Sequence, residues 1–202
     1  MEKLNEKKEL ACWIASQLFA RRMGPGTTGN LSFLHEGVLY ISASGSCFGN
    51  LKPEDFSAYS LSDGTCTGKK PSKELPLHLS VYQNRPQTQA VIHVHSTYAV
   101  LYSCIAEDTD EADVPEYTPY LKMKVGKIGM IPYAKPGSAE LFEQFESCMH
   151  RGNAWLLKNH GPVVGGKDLM DAFSGLEELE EACRIAWEMK DMNIPQIPEV
   201  QL

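Results

Sequence analysis

Residues 90–95 read Ala90-Val91-Ile92-His93-Val94-His95, an apolar run that ends in two imidazoles separated by one residue. The pattern predicts a strand over Ala90 to His95. Side chains alternate faces along a strand, so His93 and His95 point the same way and both rings can reach one ion. A third histidine lies in Asn159-His160-Gly161, 65 residues beyond His95, at the end of a second apolar run, Ala154-Trp155-Leu156-Leu157. Only the tertiary fold can bring it to the first two. Three neutral nitrogens leave one coordination position open, which distinguishes a catalytic zinc site from a closed structural one. A lone HxH pair also occurs as surface polarity or as a satisfied pair in a core, so the rest of the chain has to decide between these readings.

Outward from this strand the chain alternates helical and strand patterns without repeats or low-complexity linkers. Leu10, Ala11, Ile14, Leu18 and Phe19 recur at helical spacing, which predicts an amphipathic helix near residues 6–22, stopped by Gly24-Pro25-Gly26. Leu31-Ser32-Phe33 and Val38-Leu39-Tyr40-Ile41 flank a hairpin turn at His35-Glu36-Gly37, and a second turn at Ser62-Asp63-Gly64 separates residues 58–61 from 65–67. Helices are expected over 74–83, 97–105, 138–150 and 168–189. Further strands are expected over 128–131, 155–158 and 162–164. The acidic stretch 107–116 reads as a loop. In the last helix Phe173, Leu176, Leu179, Cys183 and Trp187 share one face, which suits core or subunit contact. This order fits a central, mostly antiparallel sheet covered by helices.

A chain of 202 residues, 43% hydrophobic and 22% charged, suits one sizeable domain with a substantial core. Its net charge of −7 argues against nucleic acid as a partner, because a nucleic-acid binder normally carries a basic face to neutralise the phosphates. No segment approaches the roughly 20 apolar residues of a membrane span, and Met1-Glu2-Lys3-Leu4-Asn5-Glu6 lacks the apolar centre of a secretion signal. A cytoplasmic protein is therefore expected. The six cysteines are scattered without a CxxC pair, which favours reduced thiols, and none is assigned to the metal.

Three short segments carry small polar residues at turns: Thr27-Thr28-Gly29-Asn30, Ser42-Ala43-Ser44-Gly45 and Pro71-Ser72-Lys73. Each offers backbone N–H groups, hydroxyls or an amide, and glycine lets an anion approach closely. Any one of them is equally an ordinary turn. Lys73 adds a fixed positive charge, and Glu74 a carboxylate suited to acid–base work or to a fourth metal position. Both residues would also serve simply to open a helix. His35, His78 and His150 lack chelating spacing and read as surface or packing residues.

Gly29-Asn30, Ser44-Gly45, Glu74, the pair at 93 and 95 and Asn159-His160-Gly161 together resemble, in this order along nearly the whole chain, the class II aldolase/adducin family. The resemblance implies an α/β fold, a three-layer α/β/α sandwich around a central mostly antiparallel sheet, formed by residues 1–202 as a single domain. It implies one zinc ion per subunit, or another divalent metal, held by His93, His95 and His160. Glu74 would transfer protons, and Gly29, Asn30, Ser44, Gly45 and Ser72 would hold a substrate phosphate, with Lys73 placed on the same phosphate. Further stretches, among them Ser46-Cys47-Phe48-Gly49, Lys70-Pro71-Ser72-Lys73-Glu74, Thr118-Pro119-Tyr120 and Ile131-Pro132-Tyr133, are similar to members that decarboxylate phosphorylated 3-oxo sugar acids. Lys73 is the discriminator, since aldolases and epimerases of the family typically carry a second serine there. The implied reaction is loss of carbon dioxide from a small phosphorylated sugar acid through a metal-bound enediolate, leaving dihydroxyacetone phosphate. Tyr120 and Tyr133 are candidates for further proton donation or for buried packing. A fuculose-phosphate type aldolase or a ribulose-phosphate 4-epimerase would use the same site. A noncatalytic adducin-like scaffold is the alternative of another class, although such members are expected to lack metal ligands that are all present here. The resemblance also implies a homo-oligomer, a tetramer with sites near subunit boundaries.

Overall fold

A computed structural model describes residues 2–107 and 109–198. Helix α1 (Glu2–Ala20) leads into the hairpin β1 (Asn30–His35) and β2 (Val38–Ser42). The turn between them uses Glu36 at φ +48° and Gly37 at φ +78°. Two successive positive φ values make the mirror-image turn whose twist matches that of paired strands, and glycine carries the second at no steric cost. There follow β3 (Phe56–Ser60), β4 (Cys66–Thr67), α2 (Leu75–Asn84), β5 (Ala90–His93) and α3 (Thr97–Ile105). The chain continues through α4 (Tyr120–Lys124), β6 (Ile128–Ile131), α5 (Ala139–Ser147), β7 (Ala154–Leu157), β8 (Gly161–Gly166) and α6 (Leu169–Met189).

The strands form one eight-stranded sheet in the order β4-β3-β2-β1-β5-β8-β7-β6. Every pairing is antiparallel except β6 with β7, which run parallel because α5 crosses between them. Alternate residues of the central strands enter two separate cores. Leu31, Phe33, Ala90, Ile92, Ala154 and Leu156 pack against α1, α3 and α6, whereas Leu39, Ile41, Val91, Trp155, Leu157 and Val163 pack against α2 and α5. The result is the expected three layers, with period-2 alternation deciding which core each side chain joins. Trp155 and Phe145 meet edge to face at 5.4 Å in the second core.

The helices lie close where small residues permit it. A Cβ on Gly166 of β8 would meet the Ala172 backbone nitrogen at 2.3 Å, so α6 can rest on that strand only over glycine. From α6, the Glu180 carboxylate accepts from the Tyr98 and Ala99 backbone N–H groups, each at 2.9 Å. This caps the start of α3 and thereby anchors the segment immediately after His95. The predicted face of α6 buries Phe173, Leu176, Leu179 and Cys183, while Trp187 is half-buried.

Three sequence expectations need correction. The short helix α4 follows the acidic loop, where none was predicted, because a helix of five residues is too brief to show a 3.6-residue period. Tyr120 and Tyr133 are each 59% exposed, which removes a buried packing role for both. The strand predicted over residues 90–95 stops at His93, and Val94 and His95 lie beyond it. Asp108, within the predicted acidic loop, lies outside the described residues. The six cysteines are free, and no described helix is long and apolar enough to cross a membrane.

Candidate metal centre and adjoining cavity

His93 closes β5, where it pairs with Asn30 on one side and Val163 on the other. Its ring is fully buried, and its Nδ1–H donates to the Pro162 carbonyl at 2.9 Å. That bond fixes the tautomer and leaves the Nε2 lone pair aimed away from the strand. His95 follows on the extended segment that joins β5 to α3. His160 stands in the turn between β7 and β8, where Asn159 takes the left-handed conformation at φ +55°. Asparagine tolerates that conformation better than most residues. A Cβ on the next residue, Gly161, would lie 2.3 Å from the Val94 carbonyl oxygen. The sequence Asn159-His160-Gly161 thus lets the β7–β8 turn approach the end of β5 closely enough for the rings to meet.

The potential ligand atoms of the three histidines all lie within 4.8 Å of one another. His93 Nε2 and His160 Nε2 are 3.3 Å apart. Two nitrogens bound tetrahedrally to one zinc at the usual bond length would stand about 3.3 Å apart, so this pair already spans one edge of such a site. His95 Nε2 is buried and finds no protein partner. Burial holds His93 and His95 below the ordinary imidazole pKa and takes His160 to about 4. Neutral imidazoles with free lone pairs are what a divalent metal requires, and the donor set fits such an ion.

Glu74, just before α2, is 4% exposed and faces the cluster with its Oε2 3.5 Å from His93 Nε2 and its Oε1 3.5 Å from His160 Nε2. Burial opposes its charge. The adjoining His93 and a hydrogen bond from Asn30 outweigh that cost and hold the carboxyl below its ordinary range. The carboxylate therefore occupies the open side of the three-histidine cluster.

A cavity of about 160 Å³ opens beside these groups, lined by Gly29, Asn30, Ser44, Gly45, Ser72, Lys73, Glu74 and His95. The three polar turns, far apart in sequence, meet here because β1, β2 and the segment before α2 are neighbours. Ala43 bridges to Pro71, and the Ser44 N–H donates to the Lys70 carbonyl at 2.9 Å. Gly29 at φ +85° and Gly45 at φ +79° supply the left-handed corners. Lys73 lies along Gly137, whose added Cβ would sit 3.1 Å from Lys73 Cδ. The ammonium helps to depress both His95 and His160, so its field reaches the metal end of the cavity as well as the turns. The Asn30 side chain, read from the sequence as a phosphate contact, lines this cavity and is hydrogen-bonded to Glu74 and His78.

His78, read from the sequence as a surface or packing residue, is fully buried and hydrogen-bonded to Asn30 and Ser32. Burial pushes its pKa down from 6.5 to about 3. Because the unfolded chain regains the ordinary value, it binds a proton that the native state refuses as the pH falls from about 6.5 towards 3. The stability associated with neutral His78 is therefore complete above pH 6.5 and is lost below it, by up to about 1.4 kcal/mol per pH unit for this one group. Urea midpoints of metal-free protein should fall with acid, and His78→Gln should flatten that slope.

A family model described as the class II aldolase and adducin N-terminal domain matches residues 9–187. A curated protein from Pectobacterium atrosepticum named 3-oxo-tetronate 4-phosphate decarboxylase is 43% identical over 183 residues, 90% of this chain and 84% of that one. A protein from Methanococcus maripaludis named L-fuculose phosphate aldolase is 32% identical, over 89% of this chain and 94% of that one. Among solved structures, YgbL from Escherichia coli superposes with a TM-score of 0.91 at 35% identity, covering 97% of this chain and 95% of that one. An L-fuculose 1-phosphate aldolase superposes with a TM-score of 0.84 at 28% identity, covering 96% and 91%. With the match running through every element that carries the cluster and the cavity, this chain belongs to the class II aldolase/adducin family.

Proposed function

We propose that the chain is a metal-dependent carboxy-lyase that converts a 3-oxo-tetronate 4-phosphate to dihydroxyacetone phosphate and carbon dioxide. The observation that carries this reading is the placement of three neutral imidazoles and one buried carboxylate at the end of a cavity walled by three polar turns and a lysine. A divalent ion held by His93, His95 and His160, one per chain and zinc by the chemistry of its donors, would supply Lewis acidity to the substrate carbonyl when bound.

The turns at Gly29, Ser44-Gly45 and Ser72 bind the phosphate through N–H and hydroxyl groups, and the Lys73 ammonium neutralises it. This places the 3-oxo group and the adjoining hydroxyl towards the histidines. The C1 carboxylate leaves as carbon dioxide, and its bonding electrons pass to C2 and the carbonyl as an enediolate. Glu74, a carboxylate at rest, takes up one proton from water and passes it to C2, and that single proton balances the reaction. Lys73 is kept away from the scissile carboxylate because a cation there would stabilise the charge that has to disperse. Lys73→Ala is expected to raise KM for the phosphorylated substrate about tenfold, with a smaller effect on kcat, as loss of a ground-state contact does. An unchanged KM in steady-state assays would mean that the lysine does not bind the phosphate.

The alternative within the same site is an aldolase, the activity named for several relatives. Products separate the two. Carbon dioxide released together with dihydroxyacetone phosphate supports the lyase reading. Aldehyde-dependent consumption of dihydroxyacetone phosphate, without carbon dioxide from the acid substrate, would replace it. The location is taken as cytoplasmic and the assembly as a homotetramer. Sedimentation equilibrium tests the assembly, and the exposed Tyr120 and Tyr133 are the residues to examine for contact with a neighbouring subunit.

A further inference from the structure

Behind Glu74 a row of polar side chains is sealed between β1 and α2. Glu74, His78 and Tyr82 follow one another at steps of four, and Asn30 and Ser32 are two apart on the strand. Four helical residues rise about 6 Å and two strand residues about 6.6 Å, so the two rows stay in register and interleave. Asn30 Nδ2 donates to Glu74 Oε2 at 2.8 Å, and His78 Nε2 lies 2.5 Å from Asn30 Oδ1. On the other edge of the ring, His78 Nδ1 lies 2.7 Å from Ser32 Oγ, which lies 2.8 Å from the Tyr82 hydroxyl. His78 and Ser32 have no exposed surface, and Asn30 and Tyr82 are 4% and 8% exposed.

The direction of every bond follows by elimination. A carboxylate only accepts, so Asn30 presents its NH₂ group to Glu74 and its oxygen to His78. That oxygen also only accepts, so His78 Nε2 carries a hydrogen. Burial keeps the imidazole neutral, with a single hydrogen, so its Nδ1 accepts from the Ser32 hydroxyl. Ser32 in turn accepts from Tyr82. The row has one consistent polarity, and it points at Glu74.

We infer that His78 is a positioning residue for Glu74: its Nε2–H locks the Asn30 amide with the NH₂ group towards the carboxylate and so holds that carboxylate against the histidine cluster. The inference rests on the reading of Glu74 as the proton-transfer group. Without the His78 donor the Asn30 oxygen loses its partner, and only the bond to Glu74 itself holds the amide against turning over. Its oxygen would then face the carboxylate oxygens, and repulsion between acceptors would move Glu74 out of place. Displacements of about 1 Å at a reacting group cost on the order of a hundredfold in rate.

Two variants of metal-loaded protein test this. Leucine is close to histidine in size and has no donor, whereas the glutamine amide can donate to Asn30 and accept from Ser32. His78→Leu is expected to lower kcat about 30- to 100-fold with KM within about threefold and full metal content, and His78→Gln to recover to within about fivefold of the parent. In the Glu74→Gln background His78→Leu should cost nothing further, because it acts through the carboxylate. Imidazole ¹⁵N spectra of the parent protein should show His78 with its hydrogen on Nε2. Parent-like kcat in a folded, metal-loaded leucine variant would overturn the inference, as would equal losses in both variants or a hydrogen on Nδ1. If the leucine variant does not fold, the glutamine variant and the tautomer still decide. Full activity in Glu74→Gln itself would instead remove the reading of Glu74, leaving the measured tautomer and bond direction intact.

Discussion

His93→Ala is expected to lose bound metal and to lower kcat/KM by roughly a thousandfold or more. The imidazole is fully buried, and its donation to the Pro162 carbonyl aims a single lone pair at the cluster. Alanine removes that ligand and the ring's bond to the Pro162 carbonyl, which keeps only the longer bond from the Val94 N–H, and opens space in a sealed region. The rate loss follows from losing Lewis-acid stabilisation of several kcal/mol, with each 1.36 kcal/mol worth a factor of ten. Metal analysis of the purified variant beside its kinetics checks this directly. A variant that kept both one ion per chain and parent-like turnover would show that His93 is no ligand.

Glu74→Gln should behave differently, and the contrast is informative. The side chain keeps its size and can still accept from the Asn30 amide, so fold and metal content should persist. The carboxylate proposed to move the proton is gone. Loss of a general acid–base group costs about 10²- to 10⁴-fold in rate, and the loss should appear in kcat while KM changes little. Metal lost together with activity would make Glu74 a ligand first and a proton carrier second. The two variants together separate the ion's contribution from that of the carboxylate.

Much of this was legible in the sequence, for local reasons. Period-2 alternation and turn residues marked the β1–β2 hairpin, and the apolar runs marked β5 and β7. The HxH pair and Asn159-His160-Gly161 identified the cluster before any fold was known. Regular strand geometry is not what unites His93 and His95, however, since β5 ends at His93. The final convergence depends on the β7–β8 turn passing Val94 over the bare Gly161 backbone. Long-range pairing left no local trace: the parallel pairing of β6 with β7, and the Glu180 cap on α3, join segments whose sequences carry no mark of each other. His78 was missed because a single histidine has no chelating spacing. The signal that could have found it was a joint one, a four-residue step on a helix matched to a two-residue step on the neighbouring strand, and it acquires meaning only once α2 is known to face β1.

The exposed pair Tyr120 and Tyr133 shows a related limit. Sequence allowed each to be buried or to serve the reaction, and exposure removes only the first. Neither side chain lines the cavity beside Glu74.

The most direct test combines product and metal stoichiometry. Metal-free protein titrated with zinc is assayed on 3-oxo-tetronate 4-phosphate while carbon dioxide and dihydroxyacetone phosphate are measured together. Equimolar release that rises with bound zinc and levels off at one ion per chain is the expected result. Undiminished turnover in the metal-free protein, or no carbon dioxide at any zinc content, would contradict a three-histidine metal centre that decarboxylates a phosphorylated sugar acid.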